Sequence, residues 1–480
     1  MSVTEILENV FNPLNTYIWY FAFVFLVGLG IVFAFKLKGM QILKVDENAK
    51  AALMSSAEES DDPRKVSSFE AFCIGMGARI GVGNIAGVAT AIVTGGPGAV
   101  FWMWIFAIIG SGTSYMESSV AQLYKKKKSD GGYHGGPAYY ATYGLKNRGL
   151  GIFLAVLIFI TFGIGFVGVQ ATNCSSALCN AFDFDNNQYV FGIIIALGTA
   201  LVILKGMKRI AKFSARVVPI MALGWIAFCG LAICMNFSGV PLAIEMIFNA
   251  AFSPEAFIGG GIGTAILVGL KRGVFSNEAG LGSVANVAAT ANVKHPAKQG
   301  IIQSFGVLVD TLVVCSITAF VVLSYTPGYW TFTDSANEII RGAPLVQNIM
   351  ATTAIGEAAP IIIAIFLFVF AFTSMIGYYA MSESNMRFVK DDEKLVGIVR
   401  IAVVAVAFLS CLISTALMDL ISDTFMALMG AINVIVVGLL SKKAFALYKD
   451  YRNQKKAGIE EPVFHKNDLF PDDDGITEWD

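Results

Sequence analysis

The chain has 480 residues, of which 56% are hydrophobic and only 14% charged, with a mean hydropathy of +0.66. Soluble domains carry about a quarter charged residues, so this surface cannot face water throughout, and the composition indicates a polytopic membrane protein. The net charge of -1 supplies no general basic field for nucleic acid.

Eleven apolar stretches approach the roughly 20 helical residues that a hydrocarbon core requires. They fall at 15–35, 67–94, 98–123, 150–178, 189–206, 213–235, 257–292, 300–324, 359–385, 397–417 and 421–440. No Lys or Arg precedes Lys36, so the first stretch lacks the basic start of a cleaved signal and is read as a true span. The basic residues alternate from loop to loop. Residues 36–65 carry six, 125–148 six, 205–216 five, 294–298 two, 387–400 four, and the tail from Lys442 seven. The intervening loops carry only Arg341. This positive-inside bias predicts an outside N-terminus and a cytoplasmic C-terminus.

The expected organisation follows from those spans. Residues 1–36 form the outer N-terminus and an extra first helix, and 37–65 a cytoplasmic loop. Residues 66–236 form one five-helix unit, 237–256 an outer amphipathic loop, 257–441 a second five-helix unit, and 442–480 a charged cytoplasmic tail. The connections 238–256 and 334–356 predict short amphipathic helices over the outer face. Seven cysteines form no CxxC pattern and three histidines are scattered, so the cysteines read as small core residues and no metal cluster is expected.

The second and seventh stretches echo each other. Gly81-Val82-Gly83-Asn84-Ile85-Ala86-Gly87-Val88-Ala89 matches Gly280-Leu281-Gly282-Ser283-Val284-Ala285-Asn286-Val287-Ala288 at five of nine positions. Five crossings separate the copies, so they run in opposite directions, as in a five-plus-five inverted repeat preceded by one extra helix. Both copies also predict interrupted helices. The seventh stretch is about 36 residues, roughly 54 Å as a helix, too long for one straight span. Its middle, Leu270 to Gly280, holds Lys271, Arg272, Asn277 and Glu278 and is expected to unwind. The second has Gly75, Gly77, Gly81, Gly83 and Gly87 around Arg79 and Asn84. The alternative, close packing through small residues, accounts for either segment alone; breaks at matching repeat positions point to a central binding site.

Gly81-x-Gly83-x-x-Ala86 and Gly280-x-Gly282-x-x-Ala285 satisfy a loose dinucleotide pattern, but neither follows a strand, and no acid falls about 20 residues later. GxxxxGK[ST], HExxH and GxSxG are absent. The chain is therefore not expected to be an enzyme, and its energy is expected from an ion gradient.

Several motifs together are diagnostic. The runs Arg79 to Val88, Gly95-Gly96-Pro97-Gly98-Ala99-Val100-Phe101-Trp102-Met103-Trp104, Gly135-Gly136-Pro137-Ala138-Tyr139-Tyr140, Arg272 to Gly280 and His295-Pro296-Ala297-Lys298-Gln299-Gly300 resemble the alanine/glycine:cation symporter family, in order and over nearly the whole chain. The resemblance implies a LeuT-type all-α fold of eleven transmembrane helices. It also implies symport of a small neutral amino acid with Na⁺, or sometimes H⁺, in a prokaryotic plasma membrane. Two positions depart from the family pattern: Val82 stands where Thr is usual, and Tyr378-Tyr379-Ala380-Met381-Ser382-Glu383 replaces a Trp- or Asn-led, Tyr-rich run. Both positions are expected to border the substrate pocket.

A zwitterionic substrate needs donors for its carboxylate and acceptors for its ammonium. Free N–H groups of Val82 and Gly83 beside a half-helix N-terminus suit the carboxylate. Asn84 and Gln170 offer amides, and carbonyls near Phe275 and Ser276 with the Asn277 amide oxygen face the ammonium. Gln170 equally fits an interhelical packing bond; the resemblance favours substrate. Thr373-Ser374 resembles the ion-binding pair of LeuT-type transporters, with carbonyls of Gly77, Ile80 and Phe370 completing the Na⁺ shell by the same similarity. Hydroxyls bonded back to the preceding turn are the alternative for that pair. Arg79, Lys271, Arg272, Glu117, Glu278 and Asp310 read mainly as structural or gating groups, with Glu278 the candidate for proton coupling. The expected protein imports alanine, glycine or a similar small neutral amino acid with Na⁺ by alternating access, as a monomer and without an organic cofactor. A proton-coupled carrier and an amino-acid-gated channel or receptor are the competing readings.

Overall fold

The computed structural model describes residues 3–53, 66–128, 131–184, 188–203, 207–253, 263–325, 328–334 and 337–479. The start of the expected seventh stretch, at 257–262, and the loop charges Arg64, Lys65 and Lys205 lie outside the described residues.

The described chain is almost wholly helical. In order, its main helices are α1 (Val3–Lys36), α2 (Met40–Leu43), α3 (Val45–Leu53), α4 (Ser68–Arg79), α5 (Ala86–Gly95), α6 (Gly98–Leu123), α7 (Arg148–Ala181) and α8 (Gln188–Ile203). There follow α9 (Met207–Met235), α10 (Val240–Ala251), α11 (Thr264–Asn277), α12 (Ser283–Ala288), α13 (Pro296–Ser324), α14 (Ala343–Ala351), α15 (Ala358–Val389), α16 (Glu393–Leu409), α17 (Thr415–Leu439) and α18 (Ser441–Lys456). A two-stranded antiparallel ribbon pairs Lys126 with His134 and Lys127 with Tyr133. Among the described residues, eight helices are long and apolar enough to cross a membrane: α1, α6, α7, α9, α13, the helix α15, α16 and α17. Their exteriors expose large apolar side chains such as Ile220, Leu223 and Ile401, which lipid tolerates and water does not. The connections 238–256 and 334–356 contain the helices α10 and α14.

Two apolar stretches fail the length test because their helices are cut. The second is divided into α4 and α5 around a short turn at Val82–Asn84. The seventh is divided into α11 and α12, and here the break differs from expectation. Leu270 to Asn277 stays helical, and the chain leaves the helix only at Glu278–Gly282. The charges thought to force unwinding are satisfied sideways from an intact helix. Arg272 is ion-paired with Asp423 and lies 3.4 Å from Asp419, both on α17, and Lys271 Nζ donates to Asn15 Oδ1 on α1 at 2.8 Å. Charged groups at this depth need partners, and side-on partners leave the helical ladder whole. The breaks overlap at matching positions of the nine-residue echo, at Gly81–Gly83 and Gly280–Gly282.

Two helices widen into π-type turns, at Phe159–Phe166 in α7 and Val309–Cys315 in α13. Such turns shift the register of the side chains that follow and gather at functional sites. Here they carry Phe162, Phe166, Asp310 and Thr311 into the interior, all buried.

At the end of the bundle that carries α18, His295 caps α13. Its Nδ1 accepts from the Ala297 N–H at 3.1 Å, which leaves Nε2–H to donate to Asp450 Oδ2 at 3.1 Å. Burial holds this imidazole below its ordinary 6.5, against the opposing pull of Asp450. A folded-state value below the unfolded one favours neutral His295. Its contribution is therefore complete above pH 6.5 and is lost as pH falls from there toward the folded value. The melting temperature of wild type is expected to drop more between pH 7 and about 5 than that of His295→Asn, which keeps a capping acceptor but does not titrate. Differential scanning fluorimetry across that range measures it, and parallel curves would contradict the assignment.

Candidate functional site

The first break begins where α4 ends. Ser67 and Glu70 close a reciprocal cap at its start, and the last helical bond runs from Ile80 N–H to Met76 O at 2.7 Å. Beyond it, Gly81 N–H donates to Asn84 Oδ1 at 2.9 Å and Val82 N–H to Gln170 Oε1 at 3.0 Å. Sequence reasoning expected the Val82 N–H to be free, and here it is bonded to Gln170. A buried N–H outside a helix must find an acceptor, and Gln170 from the middle of α7 supplies it. Asn84 is likewise committed, its Nδ2 donating to Asp310 Oδ1 at 2.7 Å.

The second break turns through three left-handed residues, Glu278, Gly280 and Gly282. At Gly282 (φ 72°) an added Cβ would lie 2.3 Å from Pro137 Cγ, so conformation and space both demand glycine. Glu117 of α6 accepts from Gly280 N–H at 3.2 Å and Gly282 N–H at 2.9 Å. Asn433 of α17 completes the clasp, with Nδ2 2.9 Å from Glu117 Oε2 and 2.8 Å from Gly280 O, while Tyr140 donates its hydroxyl to Asn433 Oδ1.

The first break faces the last turn of α11, which leads into the second. An added Cβ at Gly83 would sit 3.2 Å from Ser276 Cα and 3.2 Å from Phe275 Cδ1. Ser276 Oγ donates to Asp310 Oδ2 at 2.8 Å, so one carboxylate ties Asn84 to Ser276. Arg79 crosses the gap with Nε on Asn277 O at 2.8 Å, Nη1 on Gln303 O at 3.0 Å and Nη2 on Ser114 Oγ at 3.0 Å. The Tyr378 hydroxyl lies 2.9 Å from Ala78 O and 2.7 Å from Glu278 Oε1, and Ser283 Oγ donates to the other Glu278 oxygen at 2.6 Å. Phe166 packs against Phe275 and Tyr378, with ring centroids 4.8 and 5.4 Å away. These rings form an apolar wall beside the polar breaks.

A separate group of neutral oxygens lies where α15 meets the end of α4. Ser374 Oγ donates to Gly77 O at 2.9 Å, and Thr373 Oγ1 to Phe370 O at 2.9 Å. The Thr373 bond is the back-bond to the preceding turn; the Ser374 bond is not, because it leaves its own helix. Gly81 links this group to the break. An added Cβ there would stand 2.7 Å from Ser374 Oγ and 2.9 Å from Gln170 Nε2. Hydroxyl and carbonyl oxygens of this kind suit a hard monovalent cation.

Of the residues expected at a substrate site, Val82, Gly83, Asn84, Gln170, Phe275, Ser276 and Tyr378 converge between the breaks. Asn277 does not present its side chain there. Its Oδ1 accepts from Ala279 N–H at 3.0 Å and its Nδ2 donates to Thr311 Oγ1 at 3.1 Å, because the adjacent turn has backbone donors to satisfy. Gly77, Phe370, Thr373 and Ser374 lie together, and Ile80 ends the same helix. Sequence reasoning missed Gly81, Ser283 and Asn433. The signal for Asn433 was available: a lone amide in the apolar run Ala431–Leu440 is costly in lipid without a partner.

Comparison with known proteins places this geometry. The model of the sodium:alanine symporter family matches residues 4–466. The chain is 41% identical over 480 residues to a probable sodium/glutamine symporter, GlnT, of Bacillus subtilis, covering 99% of this chain and 96% of that protein. It is 40% identical over 472 residues to the amino-acid carrier protein AlsT of the same organism, covering 96% and 97%. Its fold is similar to the crystal structure of MhsT in complex with L-phenylalanine, with a TM-score of 0.57 at 13% identity, covering 80% of this chain and 93% of MhsT.

Replacing Glu117 with Ala would strand the N–H groups of Gly280 and Gly282 in the interior, at about 1–3 kcal/mol for each. Glu117→Ala is expected to lower the melting temperature of the detergent-solubilised protein sharply, and Glu117→Gln, which keeps one carbonyl acceptor, by clearly less. Equal melting temperatures for wild type and Glu117→Ala would show that the second break is held by other contacts.

Proposed function

The chain belongs to the sodium:alanine symporter family, and on that premise we propose that it imports alanine, glycine or a similar small neutral amino acid together with Na⁺ by alternating access. It is a multi-pass membrane transporter rather than an enzyme. The finer architecture is part of the proposal. The two cut helices and the 16-residue α8 join the eight long helices to make eleven crossings, arranged as two inverted five-helix repeats after α1. The N-terminus lies outside, and the C-terminus in the cytoplasm of a prokaryotic cell. The monomer is the working unit.

The observation that carries this reading is the meeting of the first break, at Gly83, with the last turn of α11, at Ser276, beside the neutral oxygens of Gly77, Phe370, Thr373 and Ser374. Broken helices expose backbone dipoles where a zwitterion and a cation can share them. In this reading the substrate carboxylate takes the N–H groups of Val82 and Gly83 with Gln170 and Asn84 alongside. The ammonium faces carbonyls near Phe275 and Ser276, and Tyr378 lines the pocket. Na⁺ is cargo, held by Thr373 and Ser374 with the carbonyls of Gly77, Ile80 and Phe370. Asn277 is left to fix the turn. A second reading, glutamine as substrate, is favoured by the GlnT relative at 41% identity and by Tyr378, whose phenol can serve a polar side chain.

Counterflow uptake of labelled alanine, glycine and glutamine into proteoliposomes tests the proposal, with Na⁺, Li⁺ or pH gradients imposed separately. Accumulation driven by Na⁺ alone is expected. Drive by pH alone would transfer the coupling to protons and point to Glu278, and flux indifferent to every gradient would mean a channel.

Two substitutions address the residues. Thr373→Ala with Ser374→Ala removes two oxygens from a dehydrated cation, so half-saturating Na⁺ should rise about tenfold or more at normal expression. Gln170→Ala removes an amide from the substrate and from Val82 together, and alanine affinity should fall roughly 10- to 150-fold, from about 1.5–3 kcal/mol for a charged hydrogen bond. An unchanged Na⁺ dependence, or wild-type alanine affinity, would refute the corresponding assignment.

A further inference from the structure

At the end of the bundle that holds α18 is a cavity of about 680 Å³. Three walls line this open cavity: α3 with Met40 and Lys44 before it, the segment Asn292–Ile301 that follows the second broken helix, and α18 with the turn after it. Among the described residues, seven basic and three acidic side chains line it, a surplus of four positive charges. Glu47 is shared by Lys44 and Arg452, and Lys294 pairs with Glu461, which accounts for two of the acids. Lys455 Nζ donates to the Glu460 carbonyl, so that bond leaves the ammonium charge uncancelled. Lys50 and Lys456 enter from opposite walls. Asn48 and the phenols of Tyr448 and Tyr451 add uncharged polar groups.

Such a lining selects against cations and against apolar ligands. Several ammonium groups and one guanidinium converging on a concave site match a group with multiple anionic oxygens, since charge-assisted bonds to phosphate are the strong ones. The volume falls within the range of small-ligand sites. The neighbourhood also favours a source. The helices α2 and α3 turn Ile42, Leu43 and Leu53 outward, 50, 75 and 58% exposed. Exposed apolar side chains on short helices beside a basic cavity suit helices lying in a membrane interface.

We propose that this cavity is a phosphate site, occupied by the headgroup of an anionic phospholipid of the cytoplasmic leaflet. The inference rests on the cytoplasmic placement proposed above but not on the identity of the transported solute or ion. A headgroup there bridges the interfacial helix, the segment leaving the second break, and the C-terminal helix. Occupancy thereby adds a charged link among three elements that also meet through the His295–Asp450 bond, the packing of His295 on Tyr451 and the ion pairs of Glu47 and Glu461.

Native mass spectrometry of the full-length protein in detergent tests the site, titrating phosphatidylglycerol, phosphatidylcholine and, in a separate arm, inorganic pyrophosphate. The variant Lys50→Gln with Lys456→Gln removes two charges from the cavity. Lys442→Gln with Lys449→Gln removes two exposed charges from α18 outside it. The expected result is phosphatidylglycerol binding that is about 30-fold weaker in the cavity variant, near wild type in the control, and absent with phosphatidylcholine. Pyrophosphate binding with the same dependence on Lys50 and Lys456, but no phosphatidylglycerol binding, would keep the phosphate site and overturn the lipid as its source. Equal weakening in both variants, or no binding of either anion, would overturn the site. The readout is binding, so a failure here is distinct from a failure of the transport assay.

Discussion

Everything at the centre of this molecule follows from one requirement: backbone freed by cutting two helices inside a membrane must be satisfied by protein, because no hydrocarbon will do it. The cut at 80–85 and the cut at 278–282 each release N–H and C=O groups that an intact helix would have used. Each is answered by side chains from other helices, and those helices are thereby fixed. Glu117 and Asn433 bring α6 and α17 onto the second break. Gln170 brings α7 onto the first, and Tyr378 and Ser374 bring α15 onto the end of α4. The packing of the bundle around its centre is the consequence of that accounting.

The same requirement explains why charges are found so deep. Arg79 donates in three directions, to two carbonyls and a hydroxyl, and so spans α4, α6, α13 and the end of α11. The planar guanidinium reaches these acceptors through a fixed fork of donors. Asp310 plays the complementary part as an acceptor, collecting Asn84, Ser276 and Thr311. These groups are costly to bury and costlier to strip of partners. A transport cycle must therefore move the helices while keeping most of these bonds intact, or exchange them one for another.

Much of this was legible in the residues. The echo between Gly81–Ala89 and Gly280–Ala288 located both cuts, and the spacing of apolar runs located the long helices. What was misread was the cause of the second cut. Lys271 and Arg272 looked as though they must unwind their helix, yet a sequence cannot show that Asp423 and Asn15 lie beside them on neighbouring helices. The cut falls instead where Gly280 and Gly282 permit left-handed backbone. Asn277 was misplaced for a related reason. Its amide could face the pocket or its own turn, and only the position of the Ala279 N–H decides between them. Long-range partners such as Glu117 and Asn433, 316 residues apart, leave no local pattern at all.

The two breaks also differ in the acceptors they hold, and the difference bears on how a carboxylate enters. At the second, the N–H groups of Gly280 and Gly282 already bind a side-chain carboxylate, Glu117. An incoming carboxylate offers nothing stronger, so that break is closed to it. At the first, Val82 N–H holds only the neutral amide oxygen of Gln170. Charge-assisted bonds are roughly twice as strong as neutral ones, so on the proposed reading an amino-acid carboxylate takes the place of Gln170. The released amide, whose nitrogen is already near Gly81, is then available to the same ligand. On the proposed reading, Gln170 keeps the first break satisfied between substrates and yields to one, a role that a carboxylate at position 170 could not perform because its bond would be as strong as the ligand's. The structural break and the binding break are thus distinguished by the charge of a single acceptor.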